Sequence, residues 1–455
     1  MSAFKYGIVT VIIVSLFLSS CKKFLEEKQN QKLVIPTTIQ DLQALLDNSP
    51  LINRNYPESG ELSSDDYFLT FSDWNTQREY VKRTYTWEKD YLFEAGSSNG
   101  WAYCYRNIYI ANTVLYYTDK INVSINDIAA KNNAKGSAYF FRGICFAQVA
   151  YIWGPSYSEE TATSDLGIPL RLDPNFNTFS IRSTLKDTYN QIIQDLKEAV
   201  DLLPEESIHP VRPSKSAAYG WLARIYLSMQ NYDSALVYSS KYLDRHSELM
   251  DFNDLSQSAT IPISSINKEV IFHTILSRPI TTSRIKVDTI LYHSYDVNDL
   301  RKTIFYRLNS DGTYRFKGSY DGTTDPGNWF NGIATDEIYL VRSECYARKG
   351  DIENALTDLN ALLVTRWKNN GSWIPITVNS ANEALNTILR ERRKELTQRG
   401  LRWIDIKRLN KEGANIVLRR LLNSQYFTLV PNDPKYALAI PEDVIHLSGM
   451  FQNPR

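Results

Sequence analysis

Glu391 and Glu395 stand one helical turn apart, the spacing at which one carboxylate can serve as general acid and the other as general base. Arg392, Arg393 and Lys394 lie between them and would hold both ionised, whereas acid catalysis needs one pKa raised. The stretch therefore reads as a charged helix carrying a structural ion-pair network, with Glu391 and Lys394 paired at i, i+3 and Gly400 as C-cap. Asp65 and Asp66 form a second carboxylate pair, in a loop that leads to Trp74, Trp87 and Trp101. They are candidates for ligand contact, the alternative being a turn or helix cap. His209, His246, His273, His293 and His446 are scattered singly, so spacing supports neither a metal site nor a Ser/His/Asp arrangement. Cys104, Cys145 and Cys345 show no paired spacing, and the last two sit in apolar helical patterns as small buried hydrophobes. No activated nucleophile, phosphate loop or dinucleotide fingerprint is present, so no enzyme, cofactor or metal is expected.

The unusual bias is aromatic: 29 Tyr, 18 Phe and 9 Trp exceed what a core strictly needs. Aromatics at helical spacing usually fill a core, so the informative ones lie in polar, turn-rich stretches. These stretches supply Trp74, Asn75, Arg83, Trp87, Asn99, Trp101, Tyr292, Tyr320 and Trp329 as candidate ligand contacts. Trp101 follows Ser97, Ser98, Asn99 and Gly100, and Trp329 follows Pro326, Gly327 and Asn328. Such turns predict exposed indoles, the alternative being that both rings pack beneath their own loops.

Lys plus Arg equal Asp plus Glu at 51 each, which excludes a field built to attract nucleic acid or anionic lipid. Lys5 and the apolar residues 7–18 lead to Leu18, Ser19, Ser20 and Cys21. The run is short for a bilayer span and resembles a bacterial lipoprotein signal, with cleavage before Cys21 and acylation of its thiol. Residues 1–20 are thus expected to be a signal peptide, and the mature chain to be anchored to a membrane without spanning it. Glu26 and Glu27 are a short acidic tract of the kind that directs some lipoproteins to the cell surface.

A shift of 120 residues aligns Tyr219 with Tyr339, Tyr226 with Tyr346, Asn231 with Asp351 and Ala235 with Ala355. Each block predicts a helix, a tight turn and a helix, with an alanine where the two must approach closely. The pattern resembles the tetratricopeptide repeat. A third pair is predicted from residues 139–152 and 189–203, split by a long insertion through Gly154, Pro155 and residues 169–174. Residues 250–335 change character, with a strand at 270–276 and turns at Asp311-Gly312, Asp321-Gly322 and Pro326-Gly327. Because such excursions interrupt the repeat helices, residues 21–455 are expected to form one domain, with an N-terminal part of about 21–215 and a C-terminal part of about 216–455.

Residues 391–396 followed by 400–409, containing Gly400, Leu401, Arg402, Trp403, Asp405, Lys407 and Arg408, resemble the C-terminal signature of the SusD/RagB family. Further matches are residues 41–47, Tyr109 to Asn112 in sequence, Phe140-Phe141-Arg142 ahead of Trp153-Gly154, Ile440-Pro441, and Gln452-Asn453-Pro454. Gln398 and Arg399 depart from the family's aromatic-Glu-Gly form and suggest a subgroup. The resemblance implies a mainly α, SusD-like fold with tetratricopeptide-like helix pairs and irregular loop and short-strand excursions. It implies a cell-surface, outer-membrane lipoprotein that captures oligosaccharide and delivers it to a SusC-like TonB-dependent transporter. A sugar offers an apolar C–H face and a hydroxyl rim, so its binder needs aromatic planes flanked by Asp, Asn and Arg, as the loop candidates provide. The alternatives are a peptide-binding uptake lipoprotein and a repeat-based scaffold that holds a protein partner.

Overall fold

The computed structural model describes residues 36–323 and 328–455. The predicted signal peptide, Cys21, Glu26, Glu27 and the Pro326-Gly327 turn lie outside the described residues.

Six of the long helices start where the sequence places a capping side chain. Asn99, Thr184, Ser214, Asn231, Asp351 and Ser380 each accept a hydrogen bond from the backbone N–H three residues on, satisfying a donor that has no intrahelical partner. Ten helices of eight residues or more are described: α1 (Ile39–Leu46), α2 (Gly100–Thr118), α3 (Ile128–Trp153), α4 (Leu185–Leu202), α5 (Lys215–Ser228), α6 (Tyr232–Leu243), α7 (Thr335–Arg348), α8 (Ile352–Val364), α9 (Ala381–Glu395) and α10 (Arg402–Lys411). Neighbours pack in chain order from α2 through α8, and α9 lies against α7. The fold is mainly α.

The 120-residue shift maps α5 onto α7 at both ends and α6 onto α8 with the same first residue and a last residue one position apart. Even the connecting turns correspond, with Gln230 at φ 62° where Gly350 has φ 81°. Ala235 and Ala355 are fully buried between their helices. The third predicted pair is α3 against α4.

The excursions form short two-stranded antiparallel ladders. The strand expected over 270–276 is instead two: Val270–Phe272 pairs with Ile333–Ala334, and Ile275–Leu276 pairs with Trp329–Phe330. Between the partner strands the chain passes through Asn331 and Gly332, where a Cβ on Gly332 would stand 1.9 Å from the Phe272 carbonyl oxygen. That close approach needs glycine and interrupts both ladders together. Residues Tyr306–Leu308 and Tyr314–Phe316 form a hairpin around the predicted turn, with Gly312 at φ 81°. Ile39–Arg455 form one compact unit. Among the described residues no helix is long and apolar enough to cross a membrane.

Candidate functional site

The charged stretch from Glu391 to Arg408 is folded inward. Arg301 donates to Glu391 at 2.6 Å and Glu395 at 3.0 Å, while Arg366 joins Glu395 to Glu269 at 2.8 and 2.9 Å. Asp405 accepts from Arg392 and Arg408, each at 2.8 Å, and Arg408 grips Glu344 on α7 through two bonds. Glu391 and Glu395 therefore hold helices together, and the expected Glu391–Lys394 pair closes at 2.9 Å. Gly400 is not the C-cap of α9, which Leu396 provides. It stands beyond a further turn at φ 70° and donates its N–H to Glu61 at 2.9 Å. Burial, with Asp66 nearby, pushes the Glu61 carboxyl up to about 8.

The same network corrects the reading of Asp65 and Asp66. Asp65 takes two bonds from Arg402, at 2.6 and 3.0 Å, and Asp66 accepts from Arg393 at 3.1 Å. Burial raises the Asp65 carboxyl, but Arg402 and Arg393 overcome this and hold it well below the usual carboxylate range. Asp66 is fully buried, and its carboxyl is raised by that burial despite Arg393. Both carboxylates fasten the loop before Tyr67 to α9 and α10.

Several aromatic expectations are likewise corrected. Trp329 is 0% exposed and Trp101 5%, so neither turn leaves its indole in solvent. Trp101 packs edge-on against Trp153, with ring centroids 5.2 Å apart. Trp87 is buried under the Arg420 guanidinium and donates to the Ser63 carbonyl at 3.1 Å. Tyr320 is buried and donates to Glu269 at 2.7 Å. Asn99 is occupied as the cap of α2, and Arg83 is bound to Asp90.

Trp74, Asn75 and Tyr292 remain accessible, and a short ladder explains how their distant segments meet. Tyr67–Phe68 pairs with Lys286–Val287, setting the capped turn Phe71–Asn75 beside the chain that leads to Tyr292. Phe71 and Trp74 stack at 5.9 Å, and Tyr292 stacks on Tyr314 at 3.7 Å with an 18° interplanar angle. Between these ring pairs run Asp73, Arg284, Lys286 and Asp311: Asp73 lies 4.0 Å from both cations, and Lys286 lies 3.1 Å from Asp311. The Thr313 hydroxyl and amide, aided by Lys286, pull the Asp311 carboxyl down to about 2. This aromatic ledge offers apolar planes beside charged hydrogen-bonding groups. Sequence reasoning missed Phe71, Asp73, Arg284, Lys286, Asp311 and Tyr314; the turn around Asp311-Gly312 was the available signal for the hairpin that delivers the last two.

A separate cleft of about 500 Å³ lies between α2, residues 171–180 and the C-terminal helix Glu442–Ser448. Trp101 and Tyr105 form part of its wall, and Phe176, Phe179 and Leu447 stand exposed around it. Its loop is fixed from the core. Asp195 holds Arg142 through two bonds, Arg142 donates to Asn112 at 2.9 Å, and Asn112 donates to the carbonyls of Arg171 and Asp173 at 2.8 and 3.1 Å.

Paired repeat helices, short-strand excursions and a buried signature of ion pairs together define a helical-repeat binding scaffold. A family profile described as "Starch-binding associating with outer membrane" matches residues 23–227, and one described as "SusD family" matches residues 310–433. The chain belongs to the SusD/RagB family. It is 22% identical over 435 residues to SusD-like protein P2 of Formosa agariphila, covering 80% of this chain and 82% of that protein. Its fold matches a SusD superfamily protein of Bacteroides thetaiotaomicron with TM-score 0.73 and 20% identity, over 92% of this chain and 100% of that one. It also matches a SusD-like carbohydrate binding protein of Bacteroides vulgatus with TM-score 0.66 and 20% identity, over 91% and 97%.

Proposed function

We propose that this protein is a non-enzymatic, cell-surface lipoprotein of the outer membrane that captures oligosaccharide on the aromatic ledge and delivers it to a SusC-like TonB-dependent transporter. The observation that carries the reading is the pair of ring stacks, Phe71 with Trp74 and Tyr292 with Tyr314, set around Asp73, Arg284, Lys286 and Asp311. A pyranose lays its C–H face on such rings and its hydroxyls on the charged rim. Family membership supports outer-membrane placement, and a fold relative described as carbohydrate binding supports the ligand class. Attachment would come through lipid on Cys21. Isothermal titration of the mature chain against a panel of oligosaccharides and peptides tests the reading. At least one oligosaccharide is expected to bind, and Trp74→Ala or Tyr292→Ala should weaken it roughly ten- to a hundredfold. Unchanged affinity in both variants would move the site elsewhere.

The cleft favours a second reading, in which a peptide or a partner's loop is held by Phe176, Phe179 and Leu447. Peptide binding lost in Phe179→Ala but kept in Trp74→Ala would select it.

A further inference from the structure

Trp367 and Trp373 flank the polar turn Lys368-Asn369-Asn370-Gly371-Ser372, between α8 and α9. Unlike Trp101 and Trp329, both are only partly buried. Their ring centroids stand 5.5 Å apart at an interplanar angle of 61°, so the two indoles meet as the walls of a corner. The corner belongs to a pocket of about 290 Å³ that Asp251, Asn253, Lys368 and Asn369 complete, with Val364 exposed at its edge. The pocket shares no lining residue with the ledge or with the cleft beside α2.

The loop is fixed by its own hydrogen bonds. The Trp367 indole donates to Ser372 Oγ at 2.9 Å, and the Ser372 amide donates to Asn370 Oδ1 at 3.1 Å. Asn253 donates to the Trp367 carbonyl at 2.8 Å and accepts from the Asn369 amide at 2.9 Å, while Lys368 donates to the Val297 carbonyl at 2.8 Å. Beyond Trp373, the Asn360 side chain on α8 accepts from the Ile376 amide at 2.8 Å and donates to its carbonyl at 3.0 Å. A loop tied at both ends loses little further freedom when a ligand arrives. Asp251 Oδ1 accepts twice from Asn253, at 2.9 and 2.8 Å. Its second oxygen, the Trp373 indole N–H and the Asn369 side chain have no hydrogen-bond partner among the described residues.

We propose that this pocket is a second saccharide-binding site, seating one unit of a neutral glycan in the corner between Trp367 and Trp373. The proposal rests on the carbohydrate reading above for its ligand class and adds a site apart from the ledge. An indole face takes the C–H side of the sugar, and the free indole N–H, carboxylate oxygen and amide supply donors and acceptors for its hydroxyls. Charge selects a neutral sugar, because the charged lining residues described are one acid and one base, Asp251 and Lys368. The volume suits a single unit or a chain end better than a whole oligosaccharide. A proline-rich peptide also stacks on tryptophan, but its prolines carry no N–H and would leave Asp251 unmatched.

The test titrates the mature chain by calorimetry with neutral hexasaccharides of α- and β-linked glucose, of xylose and of mannose, and with hexaproline. Parent, Trp74→Ala, Trp373→Ala and Asn369→Ala are compared, each with its melting curve. A hexasaccharide that binds is expected to fill two sites on the parent, one of which Trp373→Ala removes and Trp74→Ala leaves. The Asn369 side chain makes no bond within the described residues, so Asn369→Ala should melt as the parent does and weaken the second site roughly three- to tenfold. That variant decides the matter if Trp373→Ala unfolds. Saccharide binding unchanged in both Trp373→Ala and Asn369→Ala overturns the proposal, and if Trp74→Ala abolishes that binding the ledge reading stands alone. A single site lost in Trp373→Ala but kept in Trp74→Ala keeps this pocket and removes the ledge. Hexaproline bound in place of sugar overturns the proposal in favour of a peptide, and a parent that binds no hexasaccharide overturns both the proposal and the carbohydrate reading.

Discussion

The Trp329 indole donates its Nε1–H to the Gln398 side-chain oxygen at 2.9 Å in the protein interior. Gln398 departs from the family's aromatic at that position, and here it satisfies an indole N–H that burial would otherwise leave unpaired. Trp329→Ala should cost about 3–5 kcal/mol of stability, and Gln398→Leu about 1–3 kcal/mol. Urea denaturation of both variants checks this; a Trp329→Ala protein as stable as the parent would contradict it.

Ala355 is fully buried, with its carbonyl accepting from Ser343 on α7 at 2.7 Å. Ala355→Phe should overpack the α7–α8 contact and cost about 1–3 kcal/mol. A lower melting temperature is the expected readout.

Asn112 makes three hydrogen bonds that tie Arg142 to residues 171–173. Asn112→Ala strands these buried groups, at a cost of about 1–3 kcal/mol. Limited proteolysis should then cut within residues 171–180 faster than in the parent, while the ledge keeps its ligand affinity.

Lys407 is buried and donates to the carbonyls of Tyr151 and Gly154 at the end of α3, at 2.8 and 2.7 Å. Burial pushes its ammonium down to about 7 from an ordinary value of 10.5. Between those values the unfolded chain holds the proton that the folded chain has released, so this group makes stability rise with pH and withdraws that gain as pH falls toward 7. The slope approaches about 1.4 kcal/mol per pH unit in that window. Denaturation curves from pH 7 to 9 should show it in the parent relative to Lys407→Met; parallel curves would mean Lys407 stays charged.

Cys21→Ala should yield a folded chain that takes up no labelled palmitate and leaves the membrane fraction. Continued labelling would place the anchor elsewhere.

Local patterning made the helices legible. The Ala235 and Ala355 repeat, the Asn231 and Asp351 caps and the third helix pair are properties of residues a few positions apart, where periodicity and capping act. The function of the Glu391 to Arg408 signature was only half legible. Its charges read correctly as an ion-pair network, but partners such as Asp65, 337 residues from Arg402, could not be named from spacing. Only the tertiary structure decided which aromatics face solvent. Turn residues beside Trp101 and Trp329 bend the backbone, but burial depends on what arrives from elsewhere: Trp153 against one ring, Gln398 against the other. Pairing of Tyr67–Phe68 with Lys286–Val287 likewise brought Trp74 and Tyr292 into one region. Composition and period set which segments fold as helices; exposure is a property of long-range packing, because a side chain's access to water is set by neighbours that sequence distance does not order.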